Sequence, residues 1–356
     1  MKYLGDYPLD DRFEYPPVSI IFAARNEARN IEEATLSLLN LDYPSFEIIA
    51  VNDRSTDSTG KILETISESS KALKVLNVNE LPAGWLGKNH ALFIGAKASK
   101  HEIILFTDAD IVFEKSALKK AIQCFTQGKW DHLTLTPHTL VPGFLLNLCV
   151  GVFGMLFFSF IRPWKAQDPK SKYFLGVGAF NLIKRSTYQK IGTFEALKMR
   201  PDDDVKLGKL VKLKGGRQLV LLGKNSVQVE WYSTFKEFVH GLEKNVYSGI
   251  DYRFFFMVLS TIAMILIFLV PYFGVFMTKS PTSTLFGLSI LLQVICYLSC
   301  SQIQGLPLYT VFAFPVGILL YVYVIWNAIL KCHFHKGLTW RNTFYSLEEL
   351  KKNKIE

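Results

Sequence analysis

The chain is poor in several features that define common protein classes. Its 356 residues hold five cysteines (Cys124, Cys149, Cys296, Cys300, Cys332), an odd number with no CxxC and no partnered histidine spacing. A disulfide framework and a zinc site are therefore not expected, and reduced thiols in a cytoplasmic setting are. The opening residues MKYLGDYPLDDRFEYPP lack an apolar core of signal-peptide length, so the N-terminal half is expected to stay in the cytoplasm. Glycine is missing from FAARNEARN, the loop after the first apolar run, where a nucleotidyltransferase would usually carry a glycine-rich phosphate loop. No basic stripe with interleaved aromatics is visible. The net charge of +9 is accordingly read as suiting an anionic membrane surface or a phosphorylated substrate, and nucleic acid is excluded as a partner.

Charge is also missing from one long stretch. Residues 254–277 contain no charged side chain and are long enough, at ~1.5 Å per residue, to cross a ~30 Å hydrocarbon core. Residues 284–300 and 308–330 read similarly, the latter flanked by LYTVF and YVYVIW as an interfacial aromatic belt would be. The absence of intramembrane charge argues against a transporter or channel subunit. The mean hydropathy of +0.20 thus comes from an appended membrane region. The expected organisation is a catalytic domain over 1–250, about three spans within 251–331, and a basic tail over 332–356. A further apolar stretch, 144–161, is read as interfacial or as a buried helix, because crossing there would put Asp110 and Asp204 on opposite sides of a bilayer. Three spans would place the tail KCHFHKGLTWR opposite the catalytic domain, against the positive-inside tendency.

The first half alternates strand and helix patterns: VSIIFAA, then a helical run to Leu39; FEIIAV, then KILETISE; LKVLNV, then a helix near 88–98; then EIILFTDAD. Such alternation predicts an α/β fold with a mostly parallel sheet, whose ligands sit beyond the carboxyl ends of the strands. Polar residues at those ends are the candidates. Asp108 and Asp110, one residue apart, can share a hard divalent cation that bridges to a diphosphate, although an Asx turn is the plain alternative. Asp53 can accept hydrogen bonds from a base or ribose, or simply cap a helix. Lys88, in LPAGWLGKNHA, can meet a phosphate as a point charge. The run Asp202, Asp203, Asp204 places three repelling carboxylates ahead of a helix, which suits a general base as well as a helix cap.

The order VSIIFAARNEARNI, VNDRSTDST, GWLGKNHAL, LFTDADIVF, GAFNLIKRSTYQKIGTF, PDDDVKLGKLV resembles the inverting glycosyltransferases of family two, over roughly residues 17 to 250. Within that family it looks most like the hopanoid-associated and carotenoid (diaponeurosporenoate-type) branch. The resemblance implies a GT-A fold and a metal-dependent transfer, with Mn²⁺ or Mg²⁺, from a nucleotide-diphosphate sugar, UDP being the expected nucleotide. It makes Arg25, Asn26, Glu27 and Asp53 nucleoside contacts, with Lys88 near them, Asp108 at the ribose or metal and Asp110 the principal metal ligand. Asp204 becomes the general base, with Asp203 as fallback because Asp203 stands where Glu is commoner. Gly176, Gly178 and the segment to Phe180 resemble the strand lining the acceptor pocket, and Lys244 and Asn245 match a segment near the phosphates. The missing Gln-x-x-Arg-Trp argues against a processive polysaccharide synthase. The expected acceptor is a lipid or isoprenoid at the cytoplasmic face of the inner membrane, crossed several times. The alternatives are a glycan-assembly transferase acting on a polyprenyl-phosphate or saccharide, and a non-catalytic nucleotide-binding membrane protein.

Overall fold

The computed structural model describes residues 1–341, 343–353 and 355; residues 342, 354 and 356 of the expected basic tail lie outside the described residues. The chain divides into two compact units. One comprises residues 1–139, 161–230 and 355, and the other residues 140–160 and the stretch from 231 into the tail.

The first unit is built on a seven-stranded sheet. Strands β1 (Val18–Ala24), β2 (Phe46–Asp53), β3 (Leu73–Val78) and β4 (Ile103–Asp108) form one half in the order β3-β2-β1-β4. Beyond β4 come Asn181–Lys184, His132–Thr136 and Gln218–Leu222. Only Asn181–Lys184 runs antiparallel to its neighbours. Val18, Ile20, Ile21, Phe22 and Ala24 of β1 are all buried, the continuous apolar pattern of a strand covered on both faces. Helices α1 (Ile31–Leu39), α2 (Thr59–Ser69) and α3 (Gly87–Ala98) connect the first four strands. Leu92 and Ala96 of α3 pack on Ile21, Ile49 and Val51, so the residues at its N-terminus are carried to the carboxyl ends of β1 and β2. The helix Asp203–Leu213 begins with the acidic run, and Leu207, Leu210 and Val211 anchor it in the same core.

The second unit is helical. Gly143–Lys165, Thr282–Gln304 and Leu308–Phe334 are long and apolar enough to cross a membrane; Phe235–Gly249 with Phe254–Phe268, bent by 113°, would make a fourth if the pair is one span. The stretch expected as one helix over 254–277 is two, Phe254–Phe268 and Val270–Met277. The cause is Pro271, which has no N–H to donate and whose ring displaces the carbonyl four residues back. That carbonyl belongs to Ile267, and the buried Gln293 of the neighbouring helix donates to it at 2.8 Å. In an apolar surrounding the amide fills a need that water cannot meet.

The stretch 144–161 lies inside the helix Gly143–Ile161 and within the helical unit's core: Leu148, Val152 and Met155 pack with Tyr297, Phe314 and Ile318. Phe235–Gly249, assigned from sequence to the catalytic domain, also belongs here. Its Phe238, Val239 and Leu242 pack with Leu146, Val150 and Val324, and Glu243 accepts from Asn327 at 2.9 Å and Lys331 at 2.6 Å. Tyr247 meets His333 at 2.8 Å, and the ring of Phe254 lies against His333. The start of Phe254–Phe268 and the end of Leu308–Phe334 are therefore at the same end of the helical unit.

Candidate active site

Loops from β1, β2 and β4, the start of α3, and the start of helix Asp203–Leu213 supply the site residues of the first unit. After β1 the chain turns at Asn26, whose φ of 56° is in the left-handed region that asparagine tolerates. Its N–H donates to Ser55 Oγ at 3.1 Å and its Oδ1 accepts from Thr56 N at 2.8 Å, while the Glu27 N–H donates to Thr59 Oγ1 at 2.8 Å. The RNE and DRST loops are thus laced into one rim. Asp53, 2% exposed, receives both oxygens' worth of contact from Arg54, at 2.7 and 2.9 Å, with Arg25 at 3.9 Å. Arg54 was not among the sequence candidates; its position directly after Asp53 was the available signal.

Lys88 is the hub. Its Nζ lies 2.7 Å from Asp108 Oδ1 and 3.7 Å from Asp203 Oδ2. Burial alone would favour the neutral amine, yet the carboxylates of Asp108, Asp203 and Asp204 hold its pKa above the ordinary lysine value. Its neighbour Asn89, buried, donates to the carbonyls of Leu197 and Arg200 at 2.7 and 2.9 Å, tying α3 to the loop ahead of the acidic run. Asp110 follows Asp108 after β4. Burial, then the charges of Asp108 and Glu27, push its carboxyl up to about 7.

The three consecutive aspartates have three different partners. Asp202 faces Arg200, fully buried, through contacts of 2.8 and 2.8 Å, with Lys206 at 3.7 Å. Asp203 faces Lys88. Asp204 accepts from the N–H of Val205 at 2.8 Å and of Gly178 at 2.7 Å, and burial followed by the Asp108 charge raises its pKa while Lys88 opposes the rise. Gly178 also lies against Asp108, since a methyl group there would collide with Asp108 Oδ2. One lysine and one glycine therefore join the β4 carboxylates to the Asp203–Asp204 pair.

The structure thus brings Arg25, Asn26, Glu27 and Asp53 into one rim, and Lys88, Asp108, Asp110, Asp203, Asp204, Gly176 and Gly178 into one cluster. Lys244 and Asn245 are not brought to it within the first unit; they lie on the helix Phe235–Gly249 of the other unit, with the Lys244 ammonium 4.3 Å over the Trp340 ring. Arg200 and Asn89 were not among the sequence candidates, although Asn89 follows Lys88 in LPAGWLGKNHA; their burial reveals them.

Residues 19–135 match glycosyl transferase family 2. Curated relatives include a probable glycosyltransferase, YdaM, of Bacillus subtilis, 28% identical over 199 residues, which are 54% of this chain and 46% of that one. Another is the 4,4'-diaponeurosporenoate glycosyltransferase of Staphylococcus aureus, 31% identical over 155 residues, 41% of this chain and 40% of that one. The chain thus spans less than half the length of these relatives. Among solved structures, the mannosyltransferase PcManGT from Pyrobaculum calidifontis, in complex with GDP-Man and Mn²⁺, superposes with a TM-score of 0.53 at 17% identity, covering 89% of this chain and 90% of that one. The common fold is of the GT-A type.

Proposed function

Starting from the family 2 glycosyltransferase domain carried by residues 19–135, we propose that the protein transfers a sugar, with inversion, from a nucleotide-diphosphate sugar to a lipid or isoprenoid acceptor at the cytoplasmic face of a membrane. The observation that carries this reading is the Lys88 hub, which holds the β4 carboxylates and the Asp203–Asp204 pair in one charge network.

The rim of Arg25, Asn26, Glu27 and Asp53 is where the nucleoside binds. Asp53 is satisfied by Arg54, so recognition through its carboxylate requires the Arg54 guanidinium to swing onto the donor. The donor set suits a hard divalent cation: Asp110 is crowded by Asp108 and Glu27, whose charges together with burial outweigh the opposing charge of Lys88. Among the described residues no three His, Cys, Asp or Glu side chains form a closed cage. Mg²⁺ and Mn²⁺ are held elsewhere by one or two carboxylates together with a substrate's phosphates, so a closed cage is not required for the reading. Asp110 and, secondarily, Asp108 would hold it, and the ion would neutralise the charge growing on the departing diphosphate.

The protein's own residues perform the rest. Asp204 keeps a free lone pair on each oxygen beside the Val205 and Gly178 donors, and its raised pKa suits it to take the proton of an acceptor hydroxyl. The acceptor oxygen bonds to the anomeric carbon as the bond to the diphosphate oxygen breaks, and a single displacement inverts the centre. Lys88 stays charged and balances Asp108 and Asp203 before and after.

A lipid acceptor is supported by the apolar surface of the helical unit, where Phe276 and Phe312 are 89% and 90% exposed, a composition suited to hydrocarbon. The cytoplasmic assignment rests on Lys331 in the last turn of Leu308–Phe334 and on Lys336, Arg341, Lys351 and Lys352 after it, at the end of the helical unit where Phe254–Phe268 begins.

The test separates the two halves of the network. Donor binding to detergent-purified protein is titrated with and without Mn²⁺ for UDP- and GDP-sugars. Asp110→Asn should abolish the Mn²⁺-dependent part of binding. Asp204→Asn should bind donor as the wild type does while transfer falls about 10²–10⁴-fold. Equal donor affinity with and without Mn²⁺ in the wild type and in Asp110→Asn would remove the assigned metal role. Undiminished transfer to a hydroxyl acceptor by Asp204→Asn would remove the base.

A further inference from the structure

Behind the catalytic cluster the sheet carries a second polar network. His132, Asn181 and Gln218 sit on three adjacent strands and are buried, with 0%, 3% and 0% of their surfaces exposed. Two backbone N–H groups, which can only donate, fix every orientation in it. Leu175 N–H donates to Gln218 Oε1 at 2.9 Å, so the Gln218 amide nitrogen faces His132 and donates to Nδ1 at 2.8 Å. With Nδ1 accepting, the ring proton is on Nε2, which donates to Asn181 Oδ1 at 2.9 Å; that oxygen also accepts the Val177 N–H at 3.3 Å. Burial holds the His132 pKa down to about 4, so the ring is neutral, in one tautomer, at working pH.

What the network grips is the segment 175–180. Thr134 Oγ1 accepts from Val177 N at 3.0 Å and donates to the Phe180 carbonyl at 2.8 Å, and Thr107 Oγ1 donates to the Ala179 carbonyl at 2.8 Å. Side chains from four strands thus satisfy the backbone of a stretch that is not itself strand. The segment is then wedged between the catalytic carboxylates. Gly178 donates to Asp204 on one side and abuts Asp108 on the other, Gly176 abuts the Asp204 carbonyl, and Gly208 of the Asp204 helix abuts the Leu175 carbonyl. No side chain larger than hydrogen fits at these three contacts.

We propose that His132, with Asn181 and Gln218, is a positioning residue that holds the 175–180 segment as a wall between the donor carboxylates and the base, and thereby decides whether the lipid acceptor or water reaches the donor. This rests on the transferase reading. A wall fixed at five backbone groups keeps Asp204 aimed at an acceptor seated beyond it. A loosened one lets water bond to the anomeric carbon as the bond to the diphosphate oxygen breaks, with the water's proton passing to Asp204 and free sugar and nucleoside diphosphate as products.

Two readouts test it on the full-length detergent-solubilised protein: amide hydrogen exchange of the 175–180 segment, which needs no substrate, and the ratio of donor hydrolysis to transfer. In His132→Leu, exchange there should quicken about tenfold, the worth of one buried hydrogen bond. Exchange in β1 to β3 should be unchanged. The hydrolysis-to-transfer ratio should rise by a similar factor with donor affinity within about twofold, and His132→Gln, whose amide can accept and donate at the same two places, should restore both. If His132→Leu does not fold, Thr134→Val carries the same expectations, because it removes the hydroxyl that holds Val177 and Phe180. Unchanged exchange in a folded variant overturns the positioning role. Quickened exchange with an unchanged ratio, or a parallel loss of donor binding and both reactions, overturns the selection of acceptor over water. A wild type that turns over no donor would instead defeat the transferase reading, while the exchange arm would still decide whether His132 holds the segment.

Discussion

Asp202, Asp203 and Asp204 are neighbours in sequence and differ in everything else, because each has its own counterpart. The Asp202–Arg200 pair is buried, and removing one partner of such a pair leaves an uncompensated charge that typically costs about 3–5 kcal/mol. Arg200→Met should therefore lower the denaturation midpoint sharply, and adding Asp202→Leu should recover most of the loss, as a thermal melt can show. Asp110 invites the opposite result. Its folded pKa lies above the 3.8 of the unfolded chain, so the unfolded state ionises first and stability is lost as pH rises from about 4 to about 7. In metal-free buffer at neutral pH Asp110→Asn should melt higher than the wild type while losing its metal. Because only the ionised carboxylate binds a cation, wild-type Mn²⁺ affinity should fall about tenfold per pH unit below about 7 and level off above it, which calorimetric titration would measure. The sequence made Asp108, Asp110 and Asp204 legible as candidates because carboxylates at strand and helix ends are unusual. It could not show what each carboxylate faces, since Lys88 reaches Asp108 and the Gly178 N–H reaches Asp204 only through the fold.

At the scale of elements, the glycines set the distances. Gly178 lets its segment approach Asp108, and Gly178→Ala should leave a folded protein with donor-dependent activity reduced at least about tenfold, because the added methyl must push Asp108 away from Lys88. The break at Leu269 follows the same logic of local satisfaction. Gln293→Leu would leave the Ile267 carbonyl without its donor, an expected cost of about 1–3 kcal/mol read as a lower melting midpoint in detergent. Strand and helix periodicity was readable for β1 to β4 and for the acidic helix, where burial on both faces or on one face leaves a plain pattern. Apolar runs were less informative: periodicity identifies residues 144–161 and 254–277 as apolar but cannot say which packs into a core, and the kink depends on one proline and an amide from another helix.

At the scale of the whole molecule, the contacts of Glu243 with Lys331, Tyr247 with His333 and Phe254 with His333 bring the end of the last apolar helix back to the start of Phe254–Phe268. Ile355 belongs to the core of the first unit, where Lys209 donates to its carbonyl. The proposed topology puts the basic tail on the same side of the membrane as the first unit, in keeping with the positive-inside tendency. Single cysteines at Glu14 and Lys351 in a background lacking native cysteines should react alike with a membrane-impermeant thiol reagent in sealed vesicles of one orientation. Labelling of one but not the other would require an odd number of crossings.

The central claim is that one network, joined at Lys88, performs metal-assisted transfer to a lipid. Its most direct test is nucleotide release from UDP- and GDP-sugars by detergent-purified protein with Mn²⁺ or Mg²⁺, with and without membrane lipid extract, in the wild type, Asp110→Ala and Asp204→Ala. Lipid-stimulated release of one nucleotide is expected, and both substitutions should abolish it. Release that lipid does not stimulate, or that survives in both variants, would contradict that claim.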